Sequence, residues 1–209
     1  MNEIALPRNL RILNKNFVVE QPTPHDVGAG YQADYDINEG RFRILTDSDP
    51  QLQRWRLFDY VLRAIASSVG EDPEEFGRGF FQRVGGALVL LILDNFRELD
   101  LLYDGEDLEF PDCLKVGPLV YLIHTCEELV SHGLGQNNLQ TCLITLKGRS
   151  AQGMRETLMH EVVHGILDVM GEGKLSETEP FVERLTNALD LFFQENWEAV
   201  CGMFPEAFA

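Results

Sequence analysis

The sequence predicts an α+β chain in which one small strand-strand-helix-helix unit occurs twice. Three observations carry this expectation. Short β-prone runs bounded by turn residues precede each of two long helical stretches. Those stretches carry broad apolar faces at helical spacing. A shift of 101 residues also lays one half of the chain on the other without a gap from residue 54 to residue 96. Arg54 then falls on Arg155, Leu57 on Leu158, Val61 on Val162, Ile65 on Ile166, Phe80 on Phe181, Arg83 on Arg184 and Asn95 on Asn196. Gly70-Glu71 falls on Gly171-Glu172, so the loop shares the register of both helices. Two unrelated amphipathic helix pairs have no reason to agree in a loop, and a tandem duplication is the expected reading.

In chain order, residues 10–13 and 17–19 read as strands, followed by a loop rich in Pro and Gly at Pro22, Pro24, Gly28 and Gly30. Residues 31–36 and 41–46 form extended segments around a turn at Asn38-Glu39-Gly40. Asp47-Ser48-Asp49-Pro50 starts a helix over about 51–69, and Gly70 ends it. A second helix is expected over about 74–97, eased by Gly77, Gly79, Gly85 and Gly86. In the second half, residues 119–125 and 139–147 read as strands and 133–138 as the turn between them. A helix follows over about 152–169, ended by Gly171. Ser176 and Glu179 match a capping box, from which a last helix runs to about residue 200. The expected organisation is a first repeat at 1–100, an acidic linker at 101–115 and a second repeat at 116–209.

Bulk properties exclude several functions. The 34 acidic residues outnumber 17 basic ones, so a polyphosphate partner would be repelled and no nucleic acid is expected. The longest apolar run, Ala87 to Leu93, is far too short to span a bilayer, so no membrane partner is expected. Met1 to Arg11 holds no apolar segment of a secretory signal, and the four cysteines lack a C-x-x-C pair. Together these suggest a cytoplasmic protein, in host cytoplasm or a virion if viral, with reduced thiols.

The chemistry concentrates in His160-Glu161-Val162-Val163-His164. Two histidines four apart stand on one helix face, so both imidazoles reach one metal ion. Glu161 lies beside that ion as a general base for a bound water. A catalytic zinc needs a third protein ligand. Glu183 is the expected one, because it flanks the buried stripe of Val182, Leu185, Leu189 and Phe192, where a carboxylate needs a partner. Asn187, one turn on, is the expected orienter of a ligand histidine. Glu177 and Glu179 read as solvated cap residues and are the fallback ligands, while Asp168 reads as a helix-end surface group. Tyr121, His124 and His132 are candidate oxyanion donors. Under the 101-residue shift His160 meets Asp59, Glu161 meets Tyr60, His164 meets Arg63, Glu183 meets Gln82 and Asn187 meets Gly86. The first repeat therefore loses the whole set together and is expected to be a degenerate, metal-free copy, a scaffold or a surface for a protein partner.

Leu158 to Ile166, followed by Val182 to Leu189, resembles the gluzincin pattern. More narrowly it is similar to small phage-type metallopeptidase-like proteins of the ImmA/IrrE type, over about residues 116–200. The resemblance implies a minimal zincin-like unit, Zn2+ on His160, His164 and Glu183, and Glu161 as base. The expected function is a zinc-dependent metallopeptidase acting on a protein or peptide, with residues 143–146 bordering the cleft and pairing with an extended substrate. The alternative is a catalytically silent structural or interaction protein, a virion or regulatory component, that keeps the fold with or without a structural zinc.

Overall fold

A computed structural model describes residues 4–27, 33–46, 49–77, 79–104, 108–127, 129 and 133–208. Gly28, Gly30, Tyr31, Asp47, Ser48, Gly105 and His132 lie outside the described residues. The chain is mixed α+β and forms two compact units: residues 1–89 with 191–209, and residues 90–190.

The first unit begins with β1 (Asn9–Ile12) and β2 (Lys15–Glu20), an antiparallel hairpin. A single turn α1 (Pro24–Val27) leads to β3 (Ala33–Asp36), which pairs antiparallel with β4 (Arg41–Ile44). β4 then inserts parallel to β2, giving the order β1-β2-β4-β3. Alternation along the strands sends Leu10, Ile12, Phe17, Val19, Phe42 and Ile44 to one face, where Phe17 and Phe42 stack at 4.7 Å. That face is covered by α2 (Pro50–Ser68), whose Tyr60 ring lies 5.8 Å from that of Phe42. Asp49 caps α2 by accepting from the N–H groups of Gln51 and Leu52, with Pro50 in the first turn. Gly70 ends the helix at φ +86°, with the Glu71 N–H donating back to the Ala66 carbonyl. Burial pushes the Asp59 carboxyl above its ordinary range, and Arg63, one turn on, opposes this by donating to Asp59 at 2.9 Å.

The expected second helix divides. A 3-10 turn at Pro73–Glu75 precedes α3 (Phe80–Asp94), and α4 (Phe96–Tyr103) follows after Asn95 leaves helical geometry. The last stretch of α3, with α4, belongs to the second unit. There, β5 (Cys113–Val116) and β6 (Leu119–Cys126) form a hairpin, and β7 (Gly135–Asn138) and β8 (Leu143–Lys147) complete a sheet of order β5-β6-β8-β7. Its pairings are antiparallel, parallel and antiparallel, as in the first sheet. Then come α5 (Ala151–Val169), the single turn α6 (Gly173–Ser176) and α7 (Glu179–Cys201). The N-terminal half of α7 lies in the second unit and its C-terminal end in the first.

Two sequence expectations are corrected by this topology. Residues 133–138 are not only a turn, because β7 occupies Gly135–Asn138; its Gly-Gln-Asn-Asn composition has almost no β propensity and is held by pairing with β8. β8 is bonded on both sides, to β6 and β7, so residues 143–146 have no free edge for a substrate. The linker expected at 101–115 is largely used as structure, since α4 reaches Tyr103 and β5 starts at Cys113. The compact units also differ from a split at 1–100 and 116–209, because each is closed by a helix end supplied from the other stretch of sequence.

Matched residues perform matched tasks inside each unit. The Asn95 side chain bonds both main-chain groups of Lys115 on β5 and the Leu91 carbonyl, at 2.6 to 2.8 Å. Asn196 does the same to Arg11 on β1 and the Phe192 carbonyl, at 2.7 to 2.8 Å. In the second unit the buried Arg155 guanidinium donates to the buried Asp190 carboxylate at 3.1 and 3.3 Å, and the Tyr103 hydroxyl donates to the same carboxylate at 2.9 Å. Among the described residues no helix is long and apolar enough to cross a membrane. Breaking a buried ion pair strands the remaining charge, at a cost of about 3–5 kcal/mol. Asp190→Ala is therefore expected to destabilise the protein by that amount in urea unfolding, and a loss below about 1 kcal/mol would contradict this role for the pair.

Candidate metal centre

All the chemistry expected of the second half falls within the second unit. α5 begins at Ser150, whose hydroxyl accepts from the Gly153 N–H, and ends at Gly171 with φ +76°. Its apolar stripe of Leu158, Met159, Val162, Val163 and Ile166 is buried. That orientation leaves His160 and His164 half-buried on the flank of the helix, one above the other. Their Nε2 atoms are 3.0 Å apart and face each other. His164 Nδ1 lies 3.1 Å from the buried Ser176 hydroxyl on α6, which fixes the ring.

The third group is Glu179, at the first position of α7. One of its carboxylate oxygens is 3.3 Å from His160 Nε2, and the other is 3.5 Å from His164 Nε2. Among the described residues these three form the group whose ligand atoms converge closely enough for one ion. Ligands about 2.0–2.1 Å from a tetrahedral zinc are separated by about 3.3 Å. The Nε2–Nε2 separation of 3.0 Å is close to that value, and the two oxygens of Glu179 lie 3.3 and 3.5 Å from one imidazole each. Two imidazoles and one carboxylate are also the donor set zinc takes in catalytic sites. Burial holds the His164 imidazole below its usual range, and the neighbouring His160 adds to this, which favours the neutral, metal-binding form.

The converging group differs from the expected ligand set. Glu183 lines the same cleft but is not in the converging group; Glu179, the fallback, takes that place one turn earlier. Asn187 also lines the cleft, but Ser176 is the residue that bonds a histidine. Ser176 and Glu179 were both legible, but as a capping box. α7 begins at Glu179 itself, with the Phe181 and Val182 N–H groups bonded to the Thr178 carbonyl, so Ser176 lies in the preceding turn and is free to meet His164. Of the oxyanion candidates, His132 lies outside the described residues, and neither Tyr121 nor His124 lines the cleft. Tyr121 is buried on β6, near Gly165 at the back of α5, and His124 is exposed on the same strand.

Glu161 points to the other side of the histidines, against edge strand β7. An added Cβ at Gly135 would sit 2.5 Å from the Glu161 Oε1 atom and 2.6 Å from Thr157 Cγ2. Only glycine leaves room there. Asn137 of β7 anchors the same turn of helix by donating its side-chain amide to the Glu161 carbonyl at 3.0 Å. Glu161 is 6% exposed, and burial, with the nearby Glu179 charge, pushes its carboxyl up to about 7. A carboxyl with that value both takes and returns protons at neutral pH. The cleft that His160, Glu161, Glu179, Glu183 and Asn187 share has a volume of about 560 Å³.

Comparison of the chain with family models, characterised proteins and solved structures finds no match.

The contact at Gly135 gives a direct check. Gly135→Ala forces the Glu161 carboxylate or β7 to move, an overpacking that costs about 1–3 kcal/mol. Unfolding of the metal-free variant should show that loss, and unchanged stability would mean that Glu161 does not rest on β7.

Proposed function

We propose that the protein is a zinc-dependent peptidase whose metal ligands are His160, His164 and Glu179 and whose general base is Glu161. The observation that carries this reading is the convergence of two facing Nε2 atoms and the Glu179 carboxylate on one point, with a second, buried carboxylate alongside. Bound there, zinc would acidify a water and polarise a carbonyl, while the cleft leaves space for a substrate. Ser176 orients His164 and selects the tautomer that presents Nε2. Glu161, desolvated against Gly135, takes the proton of the attacking water and passes it to the leaving amine. The outer edge of β7, beside Glu161, replaces β8 as the strand along which an extended peptide can lie.

We also propose that the two units descend from one zincin-like ancestor. The identical strand order of the sheets and the matched roles of Asn95 and Asn196 support a duplication. At the positions of His160 and His164, the first unit carries Asp59 and Arg63, which neutralise each other as an ion pair. This favours a supporting or partner-binding role for that unit and is the observation behind a second reading, an interaction protein in which the zinc is structural. Neither reading calls for nucleic acid, which the charge opposes. The protein would work in a reducing cytoplasm, as suggested by the absence of disulfides among the described residues.

Metal analysis and peptide hydrolysis separate these readings. The purified protein should hold one zinc, lost in His160→Ala and His164→Ala, and no zinc in the parent would end the proposal. Glu161→Gln should keep the metal and lose hydrolysis; equal activity would refute the assigned base. Glu179→Gln should weaken zinc binding much more than Glu183→Gln, and the reverse order would restore Glu183 as ligand. Ser176→Ala should weaken zinc binding about 10- to 100-fold in a competition titration, the usual scale for a group that orients a ligand histidine.

A further inference from the structure

The cleft holds a cation that the proposed chemistry does not use. Four glutamates line it, at 156, 161, 179 and 183, and the Arg149 guanidinium lies among them. Among the described residues Arg149 forms no ion pair with any of the four. Glu156 instead accepts from Gln152 at 2.9 Å, and Glu179 faces the histidines. In a chain with twice as many acids as bases, an arginine among carboxylates that pairs with none of them calls for an explanation.

The exposed Arg149 side chain folds back over the start of α5. The guanidinium lies across the first turn of α5 at Gly153, where an added Cβ would be 2.6 Å from its Cζ and Nη2 atoms. Gly153 is buried beneath it. Among the described residues no carboxylate takes its planar set of N–H donors, and a planar carboxylate is what that fork matches best. Gly153 and His160 are seven residues apart, two turns on the same face of α5, or about 10 Å along the helix. An extended peptide covers that distance in about three residues.

We infer that Arg149 is the specificity-determining group of the cleft and binds a peptide carboxylate about three residues from the scissile bond. The carboxylate is an acidic side chain or the free C-terminus, which present the same group. The surrounding glutamates sharpen this selection, because they repel a carboxylate placed anywhere but at Arg149. The inference builds on the peptidase reading by naming its substrate class.

The test reads binding without turnover, in the zinc-loaded Glu161→Gln protein. The probes are ten-residue peptides of one neutral sequence: one with a glutamate scanned along it and an amidated end, one with glutamine there and an amidated end, and one with glutamine and a free C-terminus. Fluorescence anisotropy should show a preference of about tenfold for one carboxylate-bearing peptide over the neutral one, the scale of one charge-assisted pair. The favoured arm identifies the source. Adding Arg149→Met should abolish the preference, Arg149→Lys should keep part of it, and Gly153→Ala should abolish it by displacing the guanidinium with its charge intact. A preference that survives Arg149→Met, or no carboxylate preference in the parent background, including no binding at all, overturns the inference. Hydrolysis by the parent without the preference leaves the peptidase reading standing; the preference without hydrolysis leaves the Arg149 assignment standing.

Discussion

The geometry of the second unit depends on one buried charge. The Arg155 guanidinium stands on α5, away from water, and a buried cation needs a partner within reach. Asp190 on α7 supplies it, and the Tyr103 hydroxyl on α4 completes the arrangement. Three helices are thereby tied at one point. The tie is directional, since a guanidinium and a carboxylate meet well in few orientations, whereas apolar faces slide at little cost. Once α7 is held beside α5 at Asp190, its first residue is no longer free to choose its surroundings. It arrives at His160 and His164, and Glu179 becomes their partner.

The two units answer the same packing problem with different chemistry. Each has a four-stranded sheet of one topology, covered by a helix of the same length and closed by an asparagine that bonds a strand of its sheet. On α2 the paired positions carry Asp59 and Arg63, and opposite charges one turn apart need nothing further. On α5 they carry two histidines whose nitrogens point at each other. Two imidazole lone pairs in that arrangement are satisfied by a shared proton or by a cation, and the adjacent carboxylate of Glu179 adds the negative charge that a cation requires. In the duplication proposed above, one copy closed its site with an ion pair and the other left it open.

The cleft brings together charged groups whose repulsion is larger there than in water. Four carboxylates share its walls with His160 and an arginine. Glu161 is pressed against a strand with no side chain at Gly135 and lies close to the charge of Glu179. The exposed Arg149 lies over another glycine, Gly153, and pairs with none of the cleft's glutamates among the described residues. In both cases a missing Cβ sets the position of a charged group.

The sequence by itself determined the fold class, the order of the main elements and the pair His160 and His164 with Glu161 beside them. These follow from local rules: helical spacing sets which residues share a face, Asp49, Gly70 and Gly171 set where helices begin and end, and a 101-residue register relates the halves. The break of the second helix at Asn95, the edge strand β7 and the identity of the third converging carboxylate were decided by tertiary structure. β7 is polar and exists because β8 offers it a partner. Ser176 and Glu179 fit a helix cap as well as they fit a metal centre, since both uses need the same side chains at the same spacing. Which use prevails depends on where α7 starts and on the Arg155–Asp190 tie across 35 residues of sequence, and no local pattern encodes a contact at that distance.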